Sequence, residues 1–281
     1  MPPPIWPAPT TMTCSNRTAG EANVQAVPSA DINGIGTYYE EIGQGAPVVL
    51  LHEGLMDRRM WEPQWAEFGE HFRTIRFDAP GFGESQPAKA DYVLADVLGG
   101  LVDALGIEQA ALVGGSMGGK AAIDYTLAEP TRVSALVAVV PGLSGYSFRA
   151  YSDEQEARGE AMWEARELAG LADLWLEVWA PLGADGTLRE IAHDAVKSFE
   201  QPEEVNPAVP AVERLGEIAA PTLVISGGRD VQGINDICAL LARDVPGARL
   251  EVFADSDHLP SYREPERFNT LVIGFLESVL G

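Results

Sequence analysis

Ser116 stands in Gly114-Gly115-Ser116-Met117-Gly118, a G-x-S-x-G stretch between a short apolar run (110–113) and a helix-forming segment (120–128). A serine on a sharp strand-to-helix turn presents its Oγ clear of its neighbours. Glycine two residues before and two after lets adjacent backbone approach without Cβ clashes. The first N–H groups of the following helix point toward developing negative charge, which makes the Met117 N–H an oxyanion donor. The chemistry this serves is attack of a hydroxyl on a carbonyl. Such a pentapeptide arises by chance in roughly one chain of this composition in eight, so its context carries the weight.

A serine nucleophile needs a neutral imidazole to take its proton and a buried carboxylate to hold that imidazole in the right tautomer. The histidines are His52, His71, His193 and His258. His258 follows a strand-like run (249–253) through the turn Ala254-Asp255-Ser256-Asp257, and an earlier strand-like run (221–225) ends in Ser226-Gly227-Gly228-Arg229-Asp230. His258 is therefore assigned as base and Asp230 as the orienting acid. Asp236, Asp255 and Asp257 compete for the second role. Asp255 and Asp257 adjoin the histidine's own strand end, where local turn bonding accounts for them. Asp78, in the turn Asp78-Ala79-Pro80-Gly81, reads as structural.

The elements that must position these groups follow from hydrophobic patterning. Strands are expected at 37–42, 48–51, 72–77, 110–113, 133–140, 221–225 and 249–253. Helices are expected at 91–105, 120–128, 235–243 and 265–280. Between 143 and 212 the alternation stops, and Glu-, Ala- and Trp-rich helical segments (153–169, 171–179, 187–200) follow one another. One interrupted strand–helix alternation predicts an α/β fold: a doubly wound, mostly parallel sheet with an inserted helical cap. The division expected is a flexible tail at 1–28, a core at 29–142 and 213–281, and a cap at 143–212. In such a sheet ligands bind at the strands' carboxyl ends, where Ser116, Asp230 and His258 all emerge.

With 42 acidic and 19 basic residues the formal net charge is −23. That surface repels phosphate backbones and anionic headgroups, so neither nucleic acid nor a membrane is an expected partner. No run of 18 apolar residues suggests a membrane span. The start, MPPPIWPAPTTMTCSNRT, lacks a basic n-region and a continuous apolar h-region, and a cytoplasmic location is expected, with Met12 an alternative start. Cys14 and Cys238 are not expected to bridge, and no Cys/His cluster has metal-site spacing, so no metal and no cofactor are expected.

From about residue 31 onward the chain resembles the α/β-hydrolases of the enol-lactonase, esterase and C–C hydrolase group. The resemblance rests on LLHEGLMDRRMWEPQ (51–65), FDAPGFGES (77–85), VGGSMGG (113–119), ISGGRD (225–230) and DHLPSYREPERFN (257–269). In that family the catalytic order along the chain is Ser, acid, His, as in Ser116, Asp230, His258. The resemblance implies a second oxyanion N–H after the third strand, from Gly54 by position or from Leu55. Glu53 departs from the pattern by replacing a glycine, and a positive φ there would strain it. The reading taken for Glu53 is a side chain turned away and paired with Arg58, Arg59 or Arg76; the alternative is a carboxylate at the pocket, acting on substrate charge. His52 resembles the family's structural histidine and is assigned no chemistry.

Trp163, Trp175, Trp179 and Phe199 lie in the cap region at helical spacing, where packing is the first explanation. A cap over this edge must still line the pocket, so Trp163, Trp175 and Trp179 join Glu53 and Leu55 as candidate substrate contacts. The expected function is hydrolysis of a small, hydrophobic carboxylic ester or lactone through an acyl-enzyme on Ser116. The alternatives are C–C bond hydrolysis of a diketone-like acid and a low-turnover binding protein on the same fold. Nothing in the sequence speaks to oligomeric state.

Overall fold

A computed structural model of the chain describes residues 29–281. The expected flexible tail, with Met12 and Cys14, lies outside the described residues. Two antiparallel strands, β1 (Ser29–Ile32) and β2 (Ile35–Ile42), lead to β3 (Pro47–Leu51), α1 (Glu62–His71), β4 (Arg73–Phe77), α2 (Leu94–Ala104), β5 (Ala110–Gly115), α3 (Ser116–Ala128) and β6 (Val133–Val139). Three helices follow without a sheet strand: α4 (Asp153–Glu164), α5 (Leu168–Trp179) and α6 (Gly186–Ala195). The chain closes with β7 (Thr222–Gly227), α7 (Gln232–Asp244), β8 (Arg249–Phe253), a single turn α8 (Pro260–Arg263) and α9 (Pro265–Leu280).

The sheet has eight strands in the order β1-β2-β4-β3-β5-β6-β7-β8. β2 pairs antiparallel with β4, and every pairing from β4 to β8 is parallel. This is the expected doubly wound, mostly parallel architecture. The connection from β3 runs outward to β4, whereas that from β4 crosses back over β3 to β5. Right-handed crossovers then put α1 and α2 on opposite faces. Consistently, α1 packs on α9, and α2 packs on α3. The reversal opens a crevice between the carboxyl ends of β3 and β5, the switch point where such sheets bind ligands.

β5 and β7 are buried along their whole lengths, as a parallel strand covered on both faces must be. At the centre, Leu50, Leu112, Val137 and Val224 are fully buried, and each such side chain contributes about 1.5–3 kcal/mol relative to exposure. β1 and α1 escaped the periodicity. β1 is four residues long and buries only Ile32, and α1 buries only Gln64 and Phe68, so neither shows an apolar stripe.

The stretch between β6 and β7 is tied to the core by buried polar bonds. Lys120 Nζ lies 2.6 Å from Glu204 Oε1 and 3.3 Å from Asp124 Oδ2. Ser144 Oγ donates to Asp124 Oδ1 at 2.5 Å and accepts from the Ala211 N–H at 2.8 Å. Helix α4 starts with a capping box of Ser152 and Gln155, which satisfies two otherwise unpaired N–H donors. The expected helix at 187–200 stops as an α-helix at Ala195 and continues as a 3₁₀ turn over Val196–Glu200.

Candidate active site

Strand β5 passes directly into α3, and Ser116 at the junction has φ +44°, a left-handed conformation costly for a residue with a Cβ. The packing behind it explains why glycines surround it. A Cβ on Gly114 would lie 2.4 Å from Gly118 O, and one on Gly118 would lie 2.5 Å from Leu51 O. The Gly118 N–H donates to His52 O at 3.1 Å, which stitches the start of α3 to the loop after β3. Met117 sits in the first turn of α3, where no preceding helix carbonyl is available to its N–H.

His258 leaves the loop after β8, and Asp230 the loop after β7. His258 Nδ1 and Asp230 Oδ2 are 2.7 Å apart, with both side chains sealed from solvent. The carboxylate accepts, so Nδ1 carries the proton and Nε2 is left with its lone pair. Asp230 Oδ1 in turn accepts from the Val231 N–H at 2.7 Å. Neither rival carboxylate approaches the ring this way. Asp255 pairs with Arg229 at 2.8 Å, and Asp257 with Arg263 at 2.7 Å and with the Leu182 N–H at 3.2 Å. Ser116 Oγ and His258 Nε2 are both buried without a hydrogen-bond partner among the described residues.

The loop after β3 is held by His52. Its Nε2 accepts from the Ala79 N–H at 2.9 Å, so Nδ1 is the donor to Glu53 O at 2.8 Å. Leu55, two residues on, has φ +53°. Among the described residues neither Gly54 nor Leu55 N–H meets an acceptor within the chain. The backbone of Glu53 avoids the positive-φ strain the sequence raised as a concern.

Its side chain corrects the sequence reading. Glu53 is fully buried, and among the described residues neither carboxylate oxygen has a hydrogen-bond partner. The arginines expected to hold it are engaged elsewhere: Arg58 with Glu40 and Asp78, Arg59 with Asp57, Glu190 and Asp194, and Arg76 with Glu40 and Glu62. Glu53 instead leans on Gly115, the residue before Ser116. A Cβ on Gly115 would lie 2.7 Å from its Cγ and 2.9 Å from its Oε1.

Of the candidate tryptophans, Trp179 reaches the site. Its ring centroid is 4.5 Å from that of His258, and its Nε1 donates to the Tyr151 hydroxyl at 3.1 Å. Trp175 packs behind it at 6.3 Å. Trp163 lies under the Arg166 guanidinium, 5.4 Å from ring centroid to Cζ, and forms no ring pair with His258 or Trp179 among the described residues.

Residues 46–170 match the family model for the alpha/beta hydrolase fold. The 2-hydroxy-6-oxononadienedioate/2-hydroxy-6-oxononatrienedioate hydrolase of Paraburkholderia xenovorans (strain LB400) is 30% identical over 85% of this chain and 90% of its own. This chain belongs to the α/β-hydrolases. The hydrolase is also 28% identical to the 2-hydroxy-6-oxo-6-phenylhexa-2,4-dienoate hydrolase of Comamonas testosteroni, over 89% of this chain and 94% of the relative. Among solved structures it is similar to carboxylesterase CesB from Bacillus subtilis, with 26% identity, a TM-score of 0.68, and 86% of this chain and 87% of the other covered.

The electrostatics of the hydrolase's site are dominated by burial. Desolvation acts against the charged imidazole of His258, but the charge and hydrogen bond of Asp230 outweigh it and hold its pKa above the ordinary 6.5. Burial pushes Glu53 up to about 8, with the nearby Asp230 and Asp257 charges adding to the effect and His258 opposing it. Burial also lowers His52, in keeping with its neutral, doubly bonded ring. The cations of the surrounding loops, Arg58, Arg59, Lys120 and Arg263, are all engaged with carboxylates. Among the described residues no group of three or more His, Cys, Asp or Glu is placed to share a metal ion, and no helix is long and apolar enough to cross a membrane.

Proposed function

We propose that the hydrolase cleaves a bond next to a carbonyl of a small, largely apolar molecule through an acyl-enzyme on Ser116. The observation that carries this is the 2.7 Å Asp230–His258 bond, which leaves Nε2 as an acceptor on the same sheet edge as the left-handed Ser116. Ser116 Oγ attacks the carbonyl carbon while His258 Nε2 takes its proton, and Asp230 stabilises the imidazolium. The N–H groups of Met117 and Gly54 hold the oxyanion. Collapse of the tetrahedral species expels the leaving group, which receives a proton from His258. Water, deprotonated by the same imidazole, then releases the acid. The helical stretch 143–212 serves as a cap, with Trp179 and Trp175 forming an apolar wall and sealing the site in a cytoplasmic enzyme.

For the bond broken, the sequence relatives favour C–C hydrolysis of a diketone-like dienoic acid over the ester first expected, because two of them carry that activity in their names. In that reaction the dienol must first go to its keto tautomer by taking a proton on the carbon beside the attacked carbonyl, so that the leaving group departs as a resonance-stabilised dienolate and is protonated on oxygen. Ester or lactone hydrolysis is the second reading. The carboxylesterase neighbour favours it, and so does the engagement of Arg58, Arg59 and Arg263 with carboxylates of the chain, rather than their being free for a substrate carboxylate.

Purified protein assayed against dienoate ring-cleavage products, p-nitrophenyl esters and lactones tests both readings. Turnover of a dienoate at least tenfold above any ester, abolished in Ser116→Ala, is the expected result. Turnover of esters or lactones alone would replace the first reading by the second. Activity that survives Ser116→Ala would overturn both.

A further inference from the structure

Among the described residues, Glu53 is the one buried carboxyl group at this edge whose two oxygens both lack a partner. The mechanism above accounts for the other unbonded atoms there, Ser116 Oγ and His258 Nε2, but leaves Glu53 idle. A carboxylate sealed from water with no cation or donor costs several kcal/mol, whereas the protonated acid avoids that penalty and gains a donor O–H. The ionisable groups that face it are His258 and Asp257 from the loop after β8 and Asp230 from the loop after β7. On its own loop, His52 bonds to Glu53 O and the Ala79 N–H, and Asp57 is held by Arg59. None of these hydrogen-bonds the Glu53 carboxyl group, which leaves its O–H available to an acceptor on a bound substrate.

The location narrows down which substrate atom that is. Glu53 immediately precedes Gly54, and its side chain fills the space beside Gly115, immediately before Ser116. The carboxyl group therefore lies between the two backbone stretches that flank the reacting carbonyl. We propose that Glu53 works as an uncharged carboxylic acid that donates its O–H to the oxygen of the carbonyl attacked by Ser116. It strengthens the hydrogen bond as negative charge grows on that oxygen, and it keeps its proton when the carbonyl re-forms, so no net proton is moved. A buried acid kept neutral for this purpose is a known device for stabilising an oxyanion. The proposal rests on Ser116 being the nucleophile and holds for either bond type.

The test compares the pH dependence of kcat/KM in the parent, Glu53→Gln and Glu53→Ala. With burial lifting the group to about 8, parent activity should fall above that pH as the donor is lost. Gln keeps an N–H donor of similar shape, so Glu53→Gln should stay within about tenfold of the parent at pH 7 and lose the alkaline fall. Ala should lose on the order of 10²–10³ in kcat, the usual effect of deleting one oxyanion donor. Infrared difference spectra should show a protonated-carboxyl band in the parent, absent from Glu53→Gln. An alkaline fall that persists in Glu53→Gln, or Glu53→Ala within threefold of the parent, would overturn the proposal. So would activity that rises through pH 8 and is lost in both variants, since Glu53 would then act as a carboxylate. Labelling of the parent by a fluorophosphonate tests the Ser116 reading separately: a parent not labelled at Ser116 fails that reading, whatever the infrared band shows.

Discussion

The indole of Trp179 lies 4.5 Å from the imidazole of His258, tilted by 52°, and its Nε1 is bonded to the Tyr151 hydroxyl. The last residue of α5 thus closes over the histidine from a segment 79 positions earlier in the chain, keeping the imidazole dry and in place. Truncation to Trp179→Ala should cost about 3–5 kcal/mol of stability, as for other buried aromatics. It should also lower kcat/KM by admitting water to the Asp230–His258 bond. Trp179→Phe keeps the ring but loses the Tyr151 bond, and should retain most of both. Urea denaturation with steady-state kinetics on the two variants checks this.

Asp230 and Asp257 are both buried, yet their replacement by asparagine should have opposite signatures. Asp230→Asn preserves shape while favouring the wrong histidine tautomer, a change that costs about 10⁴ in kcat in serine proteases. Asp257→Asn weakens the pair with Arg263 and should show mainly as lost stability, with kcat within about tenfold of the parent. Asp255→Asn, exposed and paired only with Arg229, should alter neither by much. If Asp257→Asn lost nearly all activity while Asp230→Asn kept a tenth or more, the acid would be Asp257.

Ionisation of Glu53 links folding to pH in a direction that can be worked out. In the unfolded chain the group loses its proton near 4.5, but in the fold only near 8. Between those values the unfolded state binds fewer protons, so stability declines as pH rises across the window and levels off above it. The decline is on the order of 5 kcal/mol at 1.36 kcal/mol per unit. Glu53→Gln should therefore match the parent near pH 4 and exceed it at pH 8, in denaturant titrations at the two pH values.

His258 contributes with the reverse sign. Its folded pKa lies above 6.5, so its stabilisation is full below 6.5 and fades as pH rises through the folded value. Activity needs the neutral ring and should appear over the same rise, giving an acid limb in kcat/KM above the range of a free imidazole. Asp230→Asn should shift the residual activity's acid limb downward, read from the pH–rate profile.

Lys120 holds two carboxylates at once, Asp124 and Glu204, one of them 2% and the other 15% exposed. Lys120→Met should destabilise by about 3–5 kcal/mol, because it leaves buried charge without a partner. Adding Asp124→Asn should recover part of the loss, and a double-mutant cycle in urea measures the coupling.

The sequence by itself determined the sheet and the strand ends from which Ser116, Asp230 and His258 emerge. Runs such as 48–51, 110–113 and 223–225 are apolar throughout because a parallel strand is covered on both faces, so their ends, and Ser116 and Asp230 beyond them, could be located by pattern alone, as could His258 beyond the run 249–253. Such patterns depend only on neighbours along the chain. β1 and α1 were invisible for the same reason, since neither carries an apolar stripe for a pattern to show. Where Glu53 points was decided only by the tertiary structure. Arg58, Arg59 and Arg76 seemed its natural partners by proximity in sequence, but folding brings Glu40 across from β2 and Asp78 from beyond β4, and Asp57 takes Arg59. Which of several carboxylates captures a given guanidinium depends on distances across the sheet, to which sequence spacing is blind. The closing of Trp179 over His258 is a contact of the same kind, made by two segments that meet only when the fold is complete.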